Sequence, residues 1–176
     1  MRDVLKPSAP ARSAPTSTLM NASIVATPRT EQLHPLLLRL VRVTNGSALD
    51  AATFDDWAAE PGAAMVVFTD EPDRNKETLD LAVIVPELHA TREGRFRVGL
   101  LPPAASRALA PRFGLARWPA FVMLRDGRYL GAIDGIRNWV TYVAELDRLL
   151  SADPTRPPTI GIAVVAAGQT ASPACH

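Results

Sequence analysis

The 176-residue sequence has few side chains that bind metals or carry redox chemistry. It contains one cysteine, Cys175, which excludes an internal disulfide, a CxxC redox pair and a multi-cysteine zinc site. The three histidines, His34, His89 and His176, are scattered along the chain. Cys175-His176 offers two adjacent ligands, which make a poor metal site. We therefore expect no metal and no organic cofactor.

Long hydrophobic runs and glycine-rich phosphate-binding motifs are also missing. No apolar run approaches the roughly 18 residues of a membrane helix. Asn21 and Ser23 interrupt the apolar stretch at 19–26, which argues against a secretory signal. The formal net charge of +1 gives no indication of nucleic-acid binding. We expect a cytoplasmic protein without membrane insertion and without a nucleic-acid partner.

Acidic residues are concentrated in one part of the chain. Residues 50–89 carry ten of the 18 Asp and Glu residues but two of the 19 Lys and Arg residues. Such a block is more often a solvated face than a binding site. The pairs Asp55-Asp56 and Asp70-Glu71 could be imagined as a general acid and base, but adjacent carboxylates are usually solvated.

Composition divides the chain into three parts. Residues 1–30 are rich in Pro, Ala, Ser and Thr without apolar periodicity, which predicts a flexible N-terminal extension. Residues 31–152 contain the periodic apolar patterns of one folded domain. The proline-rich segment that begins at Asp153 ends this domain, and we expect residues 153–176 to form a flexible C-terminal tail.

The domain pattern predicts elements in the order α-β-α-β-α-β-α-β-β-α. The run 63–69 is continuously apolar up to Phe68 and ends at Thr69, as is typical of a central strand buried on both faces. Apolar residues at intervals of three or four predict the helices. The predicted helices are 35–43, a short one from 53, 80–90, 102–111 and 138–150; the predicted strands are 47–50, 63–69, 96–101, 120–124 and 129–133.

Local signals add detail to three of these helices. Thr53 and Asp56 resemble a capping box, and Asp80 is a candidate N-cap. In the last helix, 3–4 spacing predicts one inward face formed by Trp139, Val143, Leu146 and Leu150.

The stretch 113–135 gives the strongest indication of the fold. Trp118-Pro119 precedes an apolar strand, and the proline indicates an edge strand, a bulge or a cis bond. Asp126-Gly127 then separates two apolar runs, as in a tight hairpin. This order is that of the second half of a thioredoxin fold. We predict the α/β class: a thioredoxin-like three-layer α/β/α domain with a mixed central sheet.

A redox-active thioredoxin would carry two cysteines just after the first central strand, where the start of a helix lowers the thiol pKa. Here that position holds Glu71-Pro72-Asp73-Arg74. We therefore expect no redox activity at this position and no enzymatic activity. A thiol enzyme that uses Cys175 is a weak alternative.

Several segments along residues 33–150 together resemble one family, the HyaE/HupG/HoxO hydrogenase expression proteins. No single motif is decisive, but their ordered combination on a cysteine-less thioredoxin framework is specific. The segments are Phe54-Asp-Asp-Trp57, Glu77-Thr-Leu-Asp80 with Glu87-Leu88, Arg112-Phe-Gly114, Trp118-Pro-Ala-Phe-Val122 and Leu130-Gly-Ala-Ile-Asp-Gly-Ile-Arg-Asn-Trp139.

The resemblance implies a non-enzymatic chaperone or assembly factor. Its expected partner is the small-subunit precursor of an uptake NiFe hydrogenase, which such proteins are thought to bind, together with its twin-arginine signal peptide, until it is ready for export. A second hydrogenase accessory protein is a further candidate partner.

A twin-arginine peptide is basic and then apolar, so its receptor needs carboxylates beside an apolar groove. We hypothesise that Asp70, Glu71 and Asp73 provide the carboxylates and that Trp118 and Pro119 form the groove. The alternative for Trp118 is a position in the core. The alternative is a redox-inactive thioredoxin-like scaffold in another complex, which does not bind signal peptides. A separate alternative for the site is that these acids serve solubility and that binding takes place on the sheet edge or the tails.

Overall fold

The computed structural model describes residues 33–158. The order of helices and strands is the predicted one, and most boundaries agree within two residues. Two 3-10 helices, Lys76–Leu79 and Ala110–Phe113, precede α3 and follow α4. The bounds are α1 Pro35–Val43, β1 Ser47–Ala48, α2 Phe54–Ala59, β2 Ala63–Phe68, α3 Leu81–Ala90, β3 Arg97–Leu101, α4 Pro103–Leu109, β4 Ala120–Arg125, β5 Arg128–Asp134 and α5 Trp139–Ser151.

The five strands form one mixed sheet in the order β1-β3-β2-β4-β5. β3 pairs in parallel with β1 and with β2, whereas β4 pairs antiparallel with β2 and β5. β2 is central and almost wholly buried, as its continuous apolar run predicts. This strand order, with helices on both faces, is that of a thioredoxin-like fold, and the predicted fold class is confirmed.

Two apolar clusters lie on opposite faces of the sheet. The first packs α1, α3 and α5 against it, and Tyr142 of α5 stacks on Phe121 of β4 with 5.6 Å between ring centroids. The second packs α2 and α4 against the other face. At its centre the Phe113 ring lies 5.9 Å from Phe54 and 5.7 Å from Phe68. The three predicted layers are therefore present.

The β4–β5 hairpin turns at Asp126-Gly127, as predicted. Both residues have positive φ angles, 51° and 73°, which is the conformation that favours Asp-Gly in a two-residue hairpin turn. The Asp126 carboxylate also accepts a hydrogen bond from the Gly62 amide at 2.7 Å. This bond connects the hairpin to the start of β2.

The two predicted side-chain caps are wrong. The Thr53 hydroxyl donates to the Asp50 carboxylate at 2.9 Å, so it makes no cap bond to α2. Backbone and side-chain hydrogen bonds from Thr53 lower the pKa of Asp50. Asp80 has helical backbone angles because a 3-10 helix leads directly into α3, and its side chain makes no cap bond.

The inward face of α5 differs from the prediction by about one residue around the helix. Tyr142, Leu146 and Leu149 are buried, whereas Trp139 keeps 44% of its surface exposed. Leu146 is buried as predicted, and Val143 and Leu150, also predicted to face inward, are partly buried and pack against the first cluster. The stacking of Tyr142 on Phe121 fixes this rotation of the helix.

Residues 153–158, the first part of the predicted tail, lie against the domain. The Thr155 amide donates to the Tyr129 carbonyl at 2.7 Å. A Cβ atom on Gly114 would approach the Pro158 carbonyl oxygen to 2.8 Å, so the two backbones are close together. The predicted N-terminal extension, residues 1–30, and residues 159–176 lie outside the described residues.

We expect Leu146→Ala to lower the free energy of unfolding by about 2–5 kcal/mol, because it removes a wholly buried side chain from the first cluster. The matched control is Val140→Ala in the same helix, at a position that is 76% exposed. It should change stability by less than about 0.5 kcal/mol. Urea denaturation followed by circular dichroism measures both. Equal losses would contradict the assigned face of α5.

Candidate functional site

The loop after β2 starts from a buried set of hydrogen bonds. The Thr69 amide donates to the Ser106 hydroxyl oxygen at 2.9 Å, and the Thr69 hydroxyl donates to the Leu101 carbonyl at 2.7 Å. The Ser106 hydroxyl donates to the same carbonyl at 3.0 Å. Both hydroxyl side chains are fully buried. These bonds connect the end of β2 to the end of β3 and to α4, and so fix where the loop begins.

Two of the three predicted carboxylates are paired with an arginine of α4. Arg107 lies 2.9 Å from the Asp70 carboxylate and 3.4 Å from that of Glu71. The Asp70 side chain is only 14% exposed, while that of Glu71 is 48% exposed. Asp73 is exposed and has no salt-bridge partner among residues 33–158. The loop is therefore less acidic than its sequence indicates.

The rest of the loop is a tight turn that leads into a helix. The Glu71 carbonyl accepts hydrogen bonds from the amides of Arg74 at 2.9 Å and Asn75 at 2.8 Å. The Asn75 side chain then caps the 3-10 helix by accepting from the Glu77 amide at 3.1 Å. This is the strand-to-helix connection in which a redox-active thioredoxin would carry its thiols.

Trp118 and Pro119 lie at the same end of the sheet as this loop. Phe68 pairs with Ala120 in the antiparallel β2–β4 ladder, so the residues after Phe68 adjoin those before Ala120. The Trp118-Pro119 bond is cis, which was one of the three predicted possibilities. Pro119 is buried, and its carbonyl accepts from the Gly135 amide at 2.7 Å.

Trp118 is half-buried and packs against the second apolar cluster. It therefore combines a core contact with partial exposure at the sheet end. The five predicted site residues thus belong to two neighbouring segments, and their role in binding stays a prediction.

The other flank of Trp118-Pro119 is basic, which the sequence-based prediction did not include. Asp134, at the end of β5, lies 3.2 Å from Arg137 and 3.8 Å from Arg117. Asp134 and Arg137 are three residues apart in the chain, so their ion pair is a local contact that the sequence itself suggests. The contact of Arg107 with Asp70, 37 residues apart in the chain, has no such local signal.

Within residues 33–158, no group of three or more His, Cys, Asp and Glu side chains is arranged to hold a metal ion. The Cys175-His176 pair lies outside this range. In the same part of the chain, no helix has the length and apolar character needed to cross a membrane.

The family model that matches this chain covers both segments of the site. Residues 36–142 match the family described as Hydrogenase-1 expression protein HyaE. The chain belongs to the HyaE family. The predicted resemblance is confirmed, and the matched residues include the loop after β2, Trp118-Pro119 and the start of α5.

Individual relatives of the HyaE family cover most of the domain. The chain is 38% identical over 151 residues to the hydrogenase expression/formation protein HoxO of Cupriavidus necator, over 85% of this chain and 92% of that protein. It is 30% identical over 126 residues to HupG of Rhodobacter capsulatus, over 71% and 91%. A crystal structure assigned to hupG of Rhodopseudomonas palustris CGA009 has 33% identity and a TM-score of 0.43, over 59% and 94%.

We expect Ser106→Ala to lower the free energy of unfolding by about 1–3 kcal/mol, because the buried Thr69 amide loses its acceptor. Thr69→Val should cost less, about 1 kcal/mol, since the Leu101 carbonyl keeps Ser106 as a donor. Urea denaturation of the two variants tests this order. A larger loss for Thr69→Val would show that the serine is not the essential partner.

Proposed function

We propose that this protein is a non-enzymatic assembly factor that binds the small-subunit precursor of a NiFe hydrogenase in the cytoplasm, before export. Membership of the HyaE family supports a role in hydrogenase formation. The observation that carries the finer proposal is the loop at residues 70–75. Where a redox-active thioredoxin has cysteines, this chain places carboxylates beside Trp118-Pro119.

The basic part of a twin-arginine signal peptide would bind at Glu71 and Asp73. Asp73 is exposed without a salt-bridge partner among the described residues, and Glu71 is half-exposed at the longer of the two Arg107 contacts. A partner arginine would compete with Arg107 for Glu71 and Asp70. Arginine forms paired hydrogen bonds to carboxylates, which gives this exchange geometric specificity.

The charges on the two sides of Trp118-Pro119 would orient the peptide. β4 lies between β2 and β5, so the acidic loop after β2 is on one side and Arg117 and Arg137 are on the other. The basic segment of a signal peptide is attracted to the first side and repelled by the second. Its apolar segment would then lie over the exposed part of Trp118.

Replacing Asp70, Glu71 and Asp73 together by Asn, Gln and Asn should weaken capture of the small-subunit precursor by about tenfold or more, because the arginines lose their charged acceptors. Arg107→Gln should strengthen capture, since it frees Asp70 and Glu71 from their internal partner. The measurement is the apparent Kd from titrated pull-down of the precursor with the purified protein.

The matched control neutralises three exposed acids elsewhere, Glu87, Glu93 and Asp153. It changes the net charge equally and should leave capture within about twofold, because it acts only through screened long-range attraction. Equal weakening by both triple variants would contradict a local site at the loop.

The alternative, a scaffold that does not bind signal peptides, is tested by deleting the signal peptide from the precursor. We expect this deletion to remove most of the binding. Full binding by the truncated precursor would overturn the proposed recognition of the signal peptide, while leaving a role in hydrogenase formation in place.

A further inference from the structure

A cleft of about 430 Å³ lies next to the β4–β5 hairpin, at the end of the sheet opposite the acidic loop. Phe54, Phe113 and Tyr129 form its aromatic lining, and the Phe113 and Tyr129 rings stack at 6.0 Å. Three arginines also line it: Arg112, Arg128 and Arg156. A cleft of this volume has the size of ordinary ligand-binding sites.

Arg112 is held over the aromatic lining. The carbon of its guanidinium lies 5.3 Å from the centroid of the Phe54 ring and 5.8 Å from that of Phe113. Attraction between a cation and an aromatic face restricts such a side chain. The planar guanidinium of Arg112 can therefore donate two parallel N–H hydrogen bonds to a carboxylate with little further loss of side-chain conformational entropy.

The residues that line the cleft include three arginines and no Asp or Glu. Asp55 pairs with Arg112 at 2.7 Å, while Arg128 and Arg156 form no salt bridge with any residue in 33–158. The Asp55–Arg112 pair is more than half exposed, so it contributes little to stability. The cleft therefore favours an anionic ligand.

One wall of the cleft is formed by residues 154–157, which belong to no helix or strand and whose prolines favour an extended backbone. The amide of Thr155 donates to the carbonyl of Tyr129 on β5, which is the edge strand of the sheet. Pro154 and Pro157 have no amide hydrogen and limit further pairing of this segment. The cleft thus lies between aromatic side chains and an extended backbone, a shape that suits an extended peptide.

The chain outside the structure does not supply a strongly acidic peptide. Residues 159–176 contain no Asp or Glu, and residues 1–32 contain only Asp3 and Glu31. The acidic block at 50–89 is within the folded domain. An acidic occupant of the cleft must therefore come from another polypeptide.

We propose that this cleft binds an acidic segment of a partner protein. Arg112 is the anchor, and Arg128 and Arg156 contact further carboxylates at its edge. Asp55 occupies Arg112 in the free protein, and a carboxylate of the partner replaces it. This site is separate from the acidic loop and does not depend on the function proposed for that loop.

The test is isothermal titration calorimetry of the full chain with a blocked five-residue peptide of alternating Glu and Phe. The same peptide with Gln in place of Glu should bind at least about tenfold more weakly, because it has no carboxylate for Arg112. Arg112→Gln should weaken binding of the Glu peptide by a similar factor. Asp55→Asn should strengthen it about threefold, since it removes the internal competitor.

Arg39→Gln is the matched control, because it removes one exposed positive charge on α1. It should leave the Kd within about twofold. If Arg112→Gln does not fold, Arg128→Gln combined with Arg156→Gln serves as the test variant, since both side chains belong to exposed residues. That double variant should also weaken binding about tenfold.

Three results would overturn the proposal. The first is equal binding of the Glu and Gln peptides, and the second is equal weakening by Arg39→Gln and Arg112→Gln. The third is inorganic phosphate that binds as tightly as the Glu peptide, which would indicate a site for small anions rather than for a protein segment.

Discussion

Two buried hydroxyl groups determine the geometry of the candidate site. The backbone amide of Thr69, directly after β2, donates to the Ser106 hydroxyl oxygen in α4, and the hydroxyl groups of both residues donate to the Leu101 carbonyl. Asp70 and Arg107 are the next residues along each segment, and their ion pair forms directly outside the buried bonds. The buried hydrogen bonds of Thr69 and Ser106 are closed to solvent and therefore hold the Asp70–Arg107 ion pair in place. That ion pair lies at the surface, where a charged group of a partner can compete for either side chain.

Two carboxylates of the acidic block, those of Asp70 and Glu71, are paired with Arg107, so this part of the block is not a set of free negative charges. Unpaired carboxylates would attract any cation, whereas carboxylates that share Arg107 favour a ligand with a better hydrogen-bonding arrangement than Arg107 itself. The same logic applies to Arg112, which is occupied by Asp55 beside the aromatic cleft. The domain thus has one mainly acidic and one mainly basic region at opposite ends of its sheet, each with an internal counter-ion.

Much of the fold could be predicted because its signals are local. The continuous apolar run of β2 and the Asp126-Gly127 turn depend on neighbouring residues, and both are present as expected. The helix caps at Thr53 and Asp80 failed for a reason that is also physical. Their backbone angles are set by the turn at Asp50 and by the 3-10 helix before α3, and a capping motif in the sequence does not reveal those angles.

The sequence alone determined the order of the elements, the family and the absence of thiols in the loop after β2. Those properties depend on residue identity and spacing along the chain. Only the tertiary structure decided which charges meet: Arg107 with Asp70, and Arg112 with Asp55. Ion pairs between residues far apart in the chain depend on strand order and helix placement, and no local pattern encodes those distances.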